Sequence, residues 1–255
     1  MKPIVVHLKF FGSLSDFLPL SQKNKWIEVG LHDHAAVKDT IESCGVPHTE
    51  VESLFINGRS CRFSRRLFDG DRVTAYPYRR KVGGRWTRAL RRAAPKRPRF
   101  ILDIHLGKLA RHLRLLGLDA RYETDLTDEG IVRIAEVEKR VVLTRDIGLL
   151  KHKSIVHALW VRSKDPVEQL KEVLAKFDLN KILKPFSRCL ECNGKIAMVA
   201  KRRIEDRLPP KVREFHRRFY LCQDCEKIYW QGSHYEWLSK FVGDLRLKNY
   251  SGSMT

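Results

Sequence analysis

The first 78 residues contain short apolar segments whose spacing predicts strands around one helix. Residues 4–10 and residues 26–29 are apolar in the manner of β-strands. An amphipathic helix is expected from about residue 35 to residue 44, where a glycine follows. Asn57-Gly58 predicts a tight hairpin turn before the last strand. The order strand, strand, helix, strand, strand indicates a β-grasp fold.

Residues 99–180 alternate between apolar strands and amphipathic helices. Leucine and alanine recur at i, i+3 and i+4 after residue 104, which is the spacing of a buried helix face. Asp165-Pro166 is a strong helix start. Strands are predicted at 100–103, 119–123, 140–144 and 155–161, and helices at 104–116 and 128–139 and from residue 166 onwards. Strand-helix-strand order predicts a parallel α/β sheet.

Three aspartates follow the strands or open the helices of this region. Asp103 ends the first strand, Asp146 follows the strand at 140–144, and Asp128 opens the helix between them. Because the carboxyl ends of parallel strands share one sheet edge, we expect the three carboxylates there. Carboxylates together with phosphate oxygens hold the Mg²⁺ or Mn²⁺ of many nucleases. The alternative interpretation is that each aspartate only caps a helix.

The middle acid of this set is open, because Asp125, Asp128 and Glu129 all lie within reach, and Asp165 is a weaker reserve ligand. No other catalytic set competes with the acids. The chain contains no Gly-x-Ser-x-Gly, no Gly-x-x-x-x-Gly-Lys-Ser/Thr and no His-Glu-x-x-His motif.

Four basic side chains are candidates for contacts with the substrate. Lys108 and Arg111 lie on the polar side of their helix, where they could orient a phosphate or form an ordinary solvated face. Arg145 could stabilise charge that develops on phosphorus, or pair with a neighbour. His234 could reach the scissile group, and a local hydrogen bond is its alternative.

Four of the six cysteines form two pairs with the spacing of zinc ligands. These are Cys189-x-x-Cys192 and Cys222-x-x-Cys225. Two such turns offer four thiolates to one tetrahedral Zn²⁺, and a closed site of this kind has a structural role. Cys44 and Cys61 are expected to be buried small apolar residues.

The formal net charge of +20 is concentrated in two parts of the chain. Residues 79–99 hold ten basic and no acidic side chains, and residues 181–255 hold sixteen basic and eight acidic ones. This distribution favours a polyanion as partner, whereas a generally cationic surface would spread the charge more evenly. Residues 79–98 are predicted to form a solvated linker. With Trp86 they could also act as a mobile basic arm that neutralises phosphates and stacks on a base.

The chain of 255 residues has no run of 18 apolar residues and no apolar leader at its start. We therefore expect a soluble cytoplasmic protein without disulfide bonds.

Residues 1–78 resemble the ubiquitin-like sulfur carriers of the ThiS and MoaD types. Asn57-Gly58 and Gly70-Asp71-Arg72-Val73 are the matching positions. The carriers react through a terminal Gly-Gly, whereas Gly83-Gly84 precedes 171 further residues here and is expected to serve as a flexible linker. We therefore expect a binding or scaffolding module with a possible protein partner, and carrier chemistry only if proteolysis exposes Gly84.

Residues 99–238 resemble the Mut-seven C-terminal RNase family, a PIN-like nuclease domain with an appended zinc ribbon. The matching motifs, in chain order, are Asp103 with Leu106-Gly107-Lys108-Leu109-Ala110-Arg111-His112-Leu113-Arg114, then Leu143-Thr144-Arg145-Asp146, Cys189-Leu190-Glu191-Cys192-Asn193-Gly194, Cys222-Gln223-Asp224-Cys225 and Tyr229-Trp230-Gln231-Gly232-Ser233-His234. The resemblance implies metal-dependent RNA cleavage by the PIN acids, which map onto Asp103, Asp128 and Asp146.

These expectations divide the chain into a β-grasp domain (1–78), a basic linker (79–98), a PIN-like parallel α/β domain (99–180) and a zinc ribbon (181–248). The leading hypothesis is a ribonuclease that holds single-stranded RNA with the ribbon and the linker. The alternative is a non-catalytic RNA-binding or ribosome-binding protein in which the acids are helix caps.

Overall fold

The computed structural model describes residues 4–82, 85–87, 89–91 and 93–251. Gly83 and Gly84, the expected flexible linker, lie outside these residues. The chain divides into two compact units. The first unit contains residues 1–95 and 127–160, and the second unit contains residues 96–126 and 161–255. The segment 99–180, expected as one domain, therefore contributes residues to both units.

The N-terminal part of the first unit is a five-stranded β-grasp sheet, which confirms the expected fold. The central strands β1 and β5 pair in parallel, and the other strands pair antiparallel in the order β2-β1-β5-β3-β4. Helix α1 packs the buried side chain of Ile41 into the core of this sheet. The elements are β1 (Ile4–Phe10), β2 (Ile27–Leu31), α1 (Val37–Ser43), β3 (Ser53–Ile56), β4 (Arg59–Ser60) and β5 (Arg72–Tyr76).

The segment after β5 is more ordered than the expected solvated linker. Strands β6 (Lys81–Val82) and β7 (Arg85–Trp86) form a short antiparallel hairpin. Arg91 donates hydrogen bonds to the carbonyl oxygen of Val51 at 2.8 Å and to Oε1 of Glu52 at 2.6 Å. Arg91 therefore attaches this basic segment to the residues that precede β3 of the β-grasp sheet.

The central region alternates parallel strands with helices, as expected. Strand β8 pairs in parallel with β9 in the second unit, and β10 pairs in parallel with β11 in the first unit. Residues 104–106 form a 3-10 turn, so the first helix begins three residues later than predicted. The elements are β8 (Phe100–Leu102), α2 (Gly107–Leu115), β9 (Ala120–Arg121), α3 (Asp128–Glu138), β10 (Val141–Thr144), α4 (Ile147–Leu150), β11 (Ala158–Trp160) and α5 (Pro166–Phe177).

Within the first unit, the β-grasp sheet packs against the segment that carries α4 and β11. The buried Glu50 accepts a hydrogen bond from the backbone nitrogen of Trp160 at 2.8 Å. The hydroxyl of Thr49 donates to the carbonyl oxygen of Leu150 at 3.1 Å. The ring of Phe17 lies 4.6 Å from the ring of Trp160. Side chains of the N-terminal segment therefore hold backbone groups more than 100 residues away along the chain.

The C-terminal ribbon, residues 186–232, is a three-stranded antiparallel sheet in the second unit. Its core is small and centres on Ile204, Leu208 and Phe219. The elements of this part are β12 (Ile196–Val199), α6 (Pro210–Phe215), β13 (Phe219–Cys222), β14 (Ile228–Trp230) and, after the ribbon, α7 (Ser233–Ser251). Nowhere in the described chain does a helix combine the length and apolarity needed to cross a bilayer.

Candidate active site and metal centre

The two Cys-x-x-Cys motifs meet at one point of the ribbon and form a cysteine cluster, namely Cys189, Cys192, Cys222 and Cys225. Their four Sγ atoms all lie within 4.8 Å of one another. The Sγ atoms of Cys189 and Cys225 are 3.6 Å apart, and those of Cys192 and Cys222 are 3.4 Å apart. A tetrahedral zinc with bonds of about 2.3 Å needs sulfur atoms about 3.8 Å apart. The cluster therefore fits a metal ion of this size.

Both cysteine turns have the same backbone geometry. The nitrogen of Asn193 donates to the carbonyl oxygen of Cys189, and the nitrogen of Glu226 donates to that of Cys222, each at 3.1 Å. Asn193 and Glu226 adopt left-handed φ values of 72° and 56°. These bonds curl each turn so that its two sulfur atoms point to the same side.

Gly194 is required where the two turns approach each other. A Cβ atom at this position would lie 2.6 Å from Oδ2 of Asp224 and 2.8 Å from Sγ of Cys222. The absence of a side chain therefore lets the second turn come close enough to share one ion.

Cys189 is the ligand whose surroundings favour the thiolate most clearly. Burial opposes ionisation, but backbone hydrogen bonds from Cys192 and Glu191 and the hydroxyl of Tyr229 outweigh it and lower the pKa of Cys189 to about 7. The Tyr229 hydroxyl lies 3.1 Å from this sulfur and accepts a hydrogen bond from the nitrogen of Leu190 at 3.2 Å. Burial and the neighbouring thiolate raise the pKa of Tyr229, so it remains a donor.

Arg114 on α2 is a buried cation beside the cluster that sequence reasoning did not single out. It is only 4% exposed. Its guanidinium donates to the carbonyl oxygens of Leu190 at 3.0 Å and Glu191 at 2.7 Å, and its Nε donates to that of Ala120 at 2.9 Å. Arg114 thus attaches the first cysteine turn to α2 and places positive charge near the sulfur atoms.

A second set of contacts attaches the first cysteine turn to the loop before β9. Asp119 accepts hydrogen bonds from the side chains of Asn193 at 2.9 Å and Arg188 at 3.1 Å. The side chain of Asn193 also accepts a hydrogen bond from the nitrogen of Ala120 at 3.0 Å. Asn193 belongs to the sequence motif of the first cysteine turn, but its hydrogen-bond partners lie more than 70 residues earlier in the chain.

Cys44 and Cys61 lie outside the cluster. They were expected to be buried small apolar residues; both are half-buried and pack against the β-grasp core. Burial raises the pKa of Cys61 to about 11, which keeps this thiol protonated.

Asp103 is the buried member of the predicted acid set. It lies at the carboxyl end of β8 in the second unit and is 4% exposed. Its Oδ1 accepts a hydrogen bond from the nitrogen of His105 at 2.9 Å and thereby caps the 3-10 turn. Nδ1 of His105 lies 3.5 Å from the same oxygen.

Asp146 and Asp128 belong to the first unit, and both are exposed. Asp146 caps α4, because its Oδ1 accepts from the nitrogen of Gly148 at 2.7 Å. Asp128 is the first residue of α3, and the cap of that helix is Thr127. The reserve ligand Asp165 caps α5 through two backbone nitrogens. The gathering of the three acids around one ion stays a prediction.

Three of the four predicted substrate-binding side chains line one groove of the second unit. Lys108, Arg111 and His234 are exposed along this groove, whose volume is about 1040 Å³. Arg145 is half-buried in the first unit, beside Asp146. The groove runs between α2, the ribbon and the start of α7, and we call it the aromatic groove because of the rings along its walls, Phe186, Tyr220, Tyr229, Trp230, Tyr235 and Trp237.

Two family models match this chain. A family model described as Mut7-C RNAse domain matches residues 98–242. The chain belongs to the Mut7-C RNAse domain family. A second model, described as Mut7-C ubiquitin, matches residues 3–83 and agrees with the β-grasp sheet. The Mut7-C RNAse match covers α2, the cysteine cluster and the aromatic groove.

A solved structure is similar to part of this Mut7-C chain. It is the putative molybdopterin converting factor, subunit 1, from Pyrococcus furiosus, with 24% sequence identity and a TM-score of 0.23. The similarity covers 29% of this chain and 97% of that chain. The comparison with curated proteins found no match.

Proposed function

We propose that the protein is a metal-dependent ribonuclease that hydrolyses phosphodiester bonds of RNA in the cytoplasm. The observation that carries the proposal is membership of the Mut7-C RNAse domain family. The position of Asp103 adds support, because this residue directly follows the parallel strand β8. Ligand sites of open α/β sheets lie outside these strand ends.

In this proposal Asp103, Asp128 and Asp146 hold Mg²⁺ or Mn²⁺. The bound ion supplies a nucleophilic water and neutralises charge on the phosphate. Arg145 follows the same strand as Asp146 and would contact the phosphate as charge develops on it. Asp125 and Glu129 are alternatives for the middle acid, and all three candidates are exposed near the start of α3.

We infer that the ion of the cysteine cluster is zinc and that its role is structural. Four thiolates form a closed site without a position for substrate. The ribbon core is small and is built on the buried side chains of Ile204, Leu208 and Phe219, so metal binding would supply much of its folding free energy.

The alternative function is RNA binding without cleavage, and one observation favours it. Asp103 and Asp146 both serve as helix caps, which would account for their presence without catalysis. Asparagine caps a helix about as well as aspartate but carries no charge. Replacing aspartate with asparagine therefore separates the two roles.

The decisive experiment is a cleavage assay on single-stranded RNA with Mn²⁺. The double variant Asp103→Asn and Asp146→Asn should lose at least about a hundredfold in rate while keeping its fold and its affinity for RNA. Asp178→Asn is the matched control. Asp178 is exposed, and its backbone has the left-handed conformation, which asparagine tolerates. Unchanged cleavage in the double variant would contradict the proposal.

Chelation gives a second test if the two kinds of ion are distinguished. EDTA should stop cleavage, and adding Mn²⁺ back to protein that has retained zinc should restore it. Recovery with Zn²⁺ alone would assign the loss to the cysteine cluster instead of the acids. RNA binding without any Mn²⁺-dependent product would support the non-catalytic alternative.

A further inference from the structure

The aromatic groove is lined by an excess of positive charge. Lysine and arginine line it at four positions, Lys108, Arg111, Arg188 and Lys227, whereas Glu191 is the acidic side chain among the lining residues. Nζ of Lys227 lies 3.0 Å from Oε1 of Glu191, so these two opposite charges compensate each other. Arg188 is paired with Asp119 at 3.1 Å. Lys108 and Arg111 therefore carry the excess positive charge that makes the groove complementary to a polyanion.

One wall of the groove ends in a row of rings. The ring of His112 lies 5.1 Å from Phe241, and Phe241 lies 6.1 Å from Trp237 with only 9° between the two planes. Trp237 is 63% exposed. A large indole held nearly parallel to its neighbour and still open to solvent is a platform on which a further planar ring can stack.

A second pair of aromatic rings also lines the groove. Tyr235 lies 4.6 Å from Phe186, and both line the groove. Aromatic side chains that alternate with cations are the composition that binds single-stranded nucleic acid, because bases stack on rings while phosphates meet the charges. An apolar peptide would use the rings but would not need Lys108 and Arg111.

We propose that the aromatic groove binds unpaired nucleotides of single-stranded RNA, with one base stacked on Trp237 and neighbouring phosphates held by Lys108 and Arg111. This inference rests on the proposed function, since it names how the ribonuclease holds its substrate. Double-stranded RNA does not fit the proposal, because its bases already stack on one another.

The test measures equilibrium binding of a fluorescein-labelled oligouridylate to the full-length, zinc-loaded protein without added Mg²⁺ or Mn²⁺. Trp237→Ala should weaken binding by at least about fivefold and leave the salt dependence unchanged, because stacking involves no counterion release. Trp237→Phe should restore most of the affinity. The double variant Lys108→Gln and Arg111→Gln should lower the slope of log K against log salt by about 1.4, which is about 0.7 for each lost phosphate contact.

Matched controls come from α6, whose residues do not line the groove. Phe215 is 72% exposed, and Lys211 is exposed on the same helix. Phe215→Ala and Lys211→Gln should bind as the unmodified protein does. An unlabelled RNA duplex should compete poorly with the oligouridylate, and equal competition would contradict the stacking of unpaired bases.

The groove and the proposed function can fail separately. If the protein cleaves RNA and Trp237→Ala binds and cleaves normally, the groove proposal is overturned and the ribonuclease stands. If Trp237→Ala loses affinity for RNA but the unmodified protein cleaves RNA with neither Mg²⁺ nor Mn²⁺, the groove stands and the ribonuclease is overturned. Asp103→Asn with Asp146→Asn should retain the affinity that Trp237→Ala loses.

Discussion

Arg114 shows how one residue connects α2 to the metal centre. Burying a cation without partners is very costly, so the three carbonyl acceptors around Arg114 compensate for its removal from water. Two of these acceptors belong to the first cysteine turn, the segment between Cys189 and Cys192. The residue therefore influences the geometry of the ligands without contacting an ion.

We expect Arg114→Met to lower the free energy of unfolding by about 2–4 kcal/mol and to speed zinc release. The change roughly keeps the volume but leaves the carbonyl oxygens of Ala120, Leu190 and Glu191 without this donor. Urea unfolding and transfer of zinc to a coloured chelator measure the two effects. Arg114→Lys keeps the charge with fewer donors and should be intermediate.

The control for this prediction is Arg111→Met on the same helix. Arg111 is exposed, and its contact with Glu191 at 3.7 Å contributes little in water. Its stability should change by less than about 0.5 kcal/mol. Equal stability of the Arg114 and Arg111 variants would show that the three hydrogen bonds do not hold the turn.

The residue types of the metal centre could be predicted from the sequence, but its supports could not. The spacing of Cys189 and Cys192 and of the later pair identifies a metal site because ligand geometry demands it. Arg114 donates to backbone carbonyls 76 and 77 residues away, and carbonyl positions leave no trace in a pattern of side chains. Asp103 and Asp146 were predicted at strand ends, where both are found.

At the scale of elements, we expect the ribbon to depend on a metal ion in the cysteine cluster more than on its apolar core. Strands β12 to β14 share only a small core around Phe219, and two of the four ligands, Cys222 and Cys189, are fully buried. A sheet of this size rarely folds without a metal ion or a disulfide bond.

Removing zinc should therefore unfold the ribbon while the β-grasp sheet persists. Cys222→Ser should bind less than about one zinc per chain and lose the near-UV signal of Trp230 and Tyr229. Zinc analysis and circular dichroism are the measurements. Cys61→Ser removes a half-buried thiol outside the cluster and should keep its full zinc content. A Cys222→Ser ribbon that stays folded would show that the core suffices.

Local patterns predicted most elements, and the exceptions have physical reasons. The start of α2 shifted to Gly107 because Asp103 caps a 3-10 turn first. The hairpin of β6 and β7 was hidden because its segment reads as a run of charges without apolar alternation. Its order comes from Arg91 and Thr87, whose side chains bond to groups of the β-grasp sheet.

At the scale of the whole molecule, each compact unit combines two segments that are separated along the chain. The β-grasp domain, predicted as residues 1–78, lies in the first unit, which also contains residues 127–160. The partners of Thr49 and Glu50 in that unit are backbone groups of Leu150 and Trp160. Such contacts over more than 100 residues are invisible to periodicity, because both partners look like ordinary loop or strand positions.

If these contacts join the β-grasp sheet to β11, weakening one of them should destabilise both segments together. Glu50 is 2% exposed and accepts from the nitrogen of Trp160. Glu50→Ala leaves that nitrogen without this acceptor and should lower the free energy of unfolding by about 1–3 kcal/mol. Urea unfolding measures the loss, and hydrogen exchange should quicken at the amide of Trp160.

Two variants make this prediction specific. Glu50→Gln keeps an acceptor oxygen and should lose less stability than Glu50→Ala. Glu28→Ala removes an exposed carboxylate from β2 and should change stability by less than about 0.5 kcal/mol. Because a shared unit unfolds cooperatively, Glu50→Ala should also quicken exchange in β10, which pairs with β11. Faster exchange confined to the N-terminal sheet would instead show that the β-grasp domain unfolds on its own.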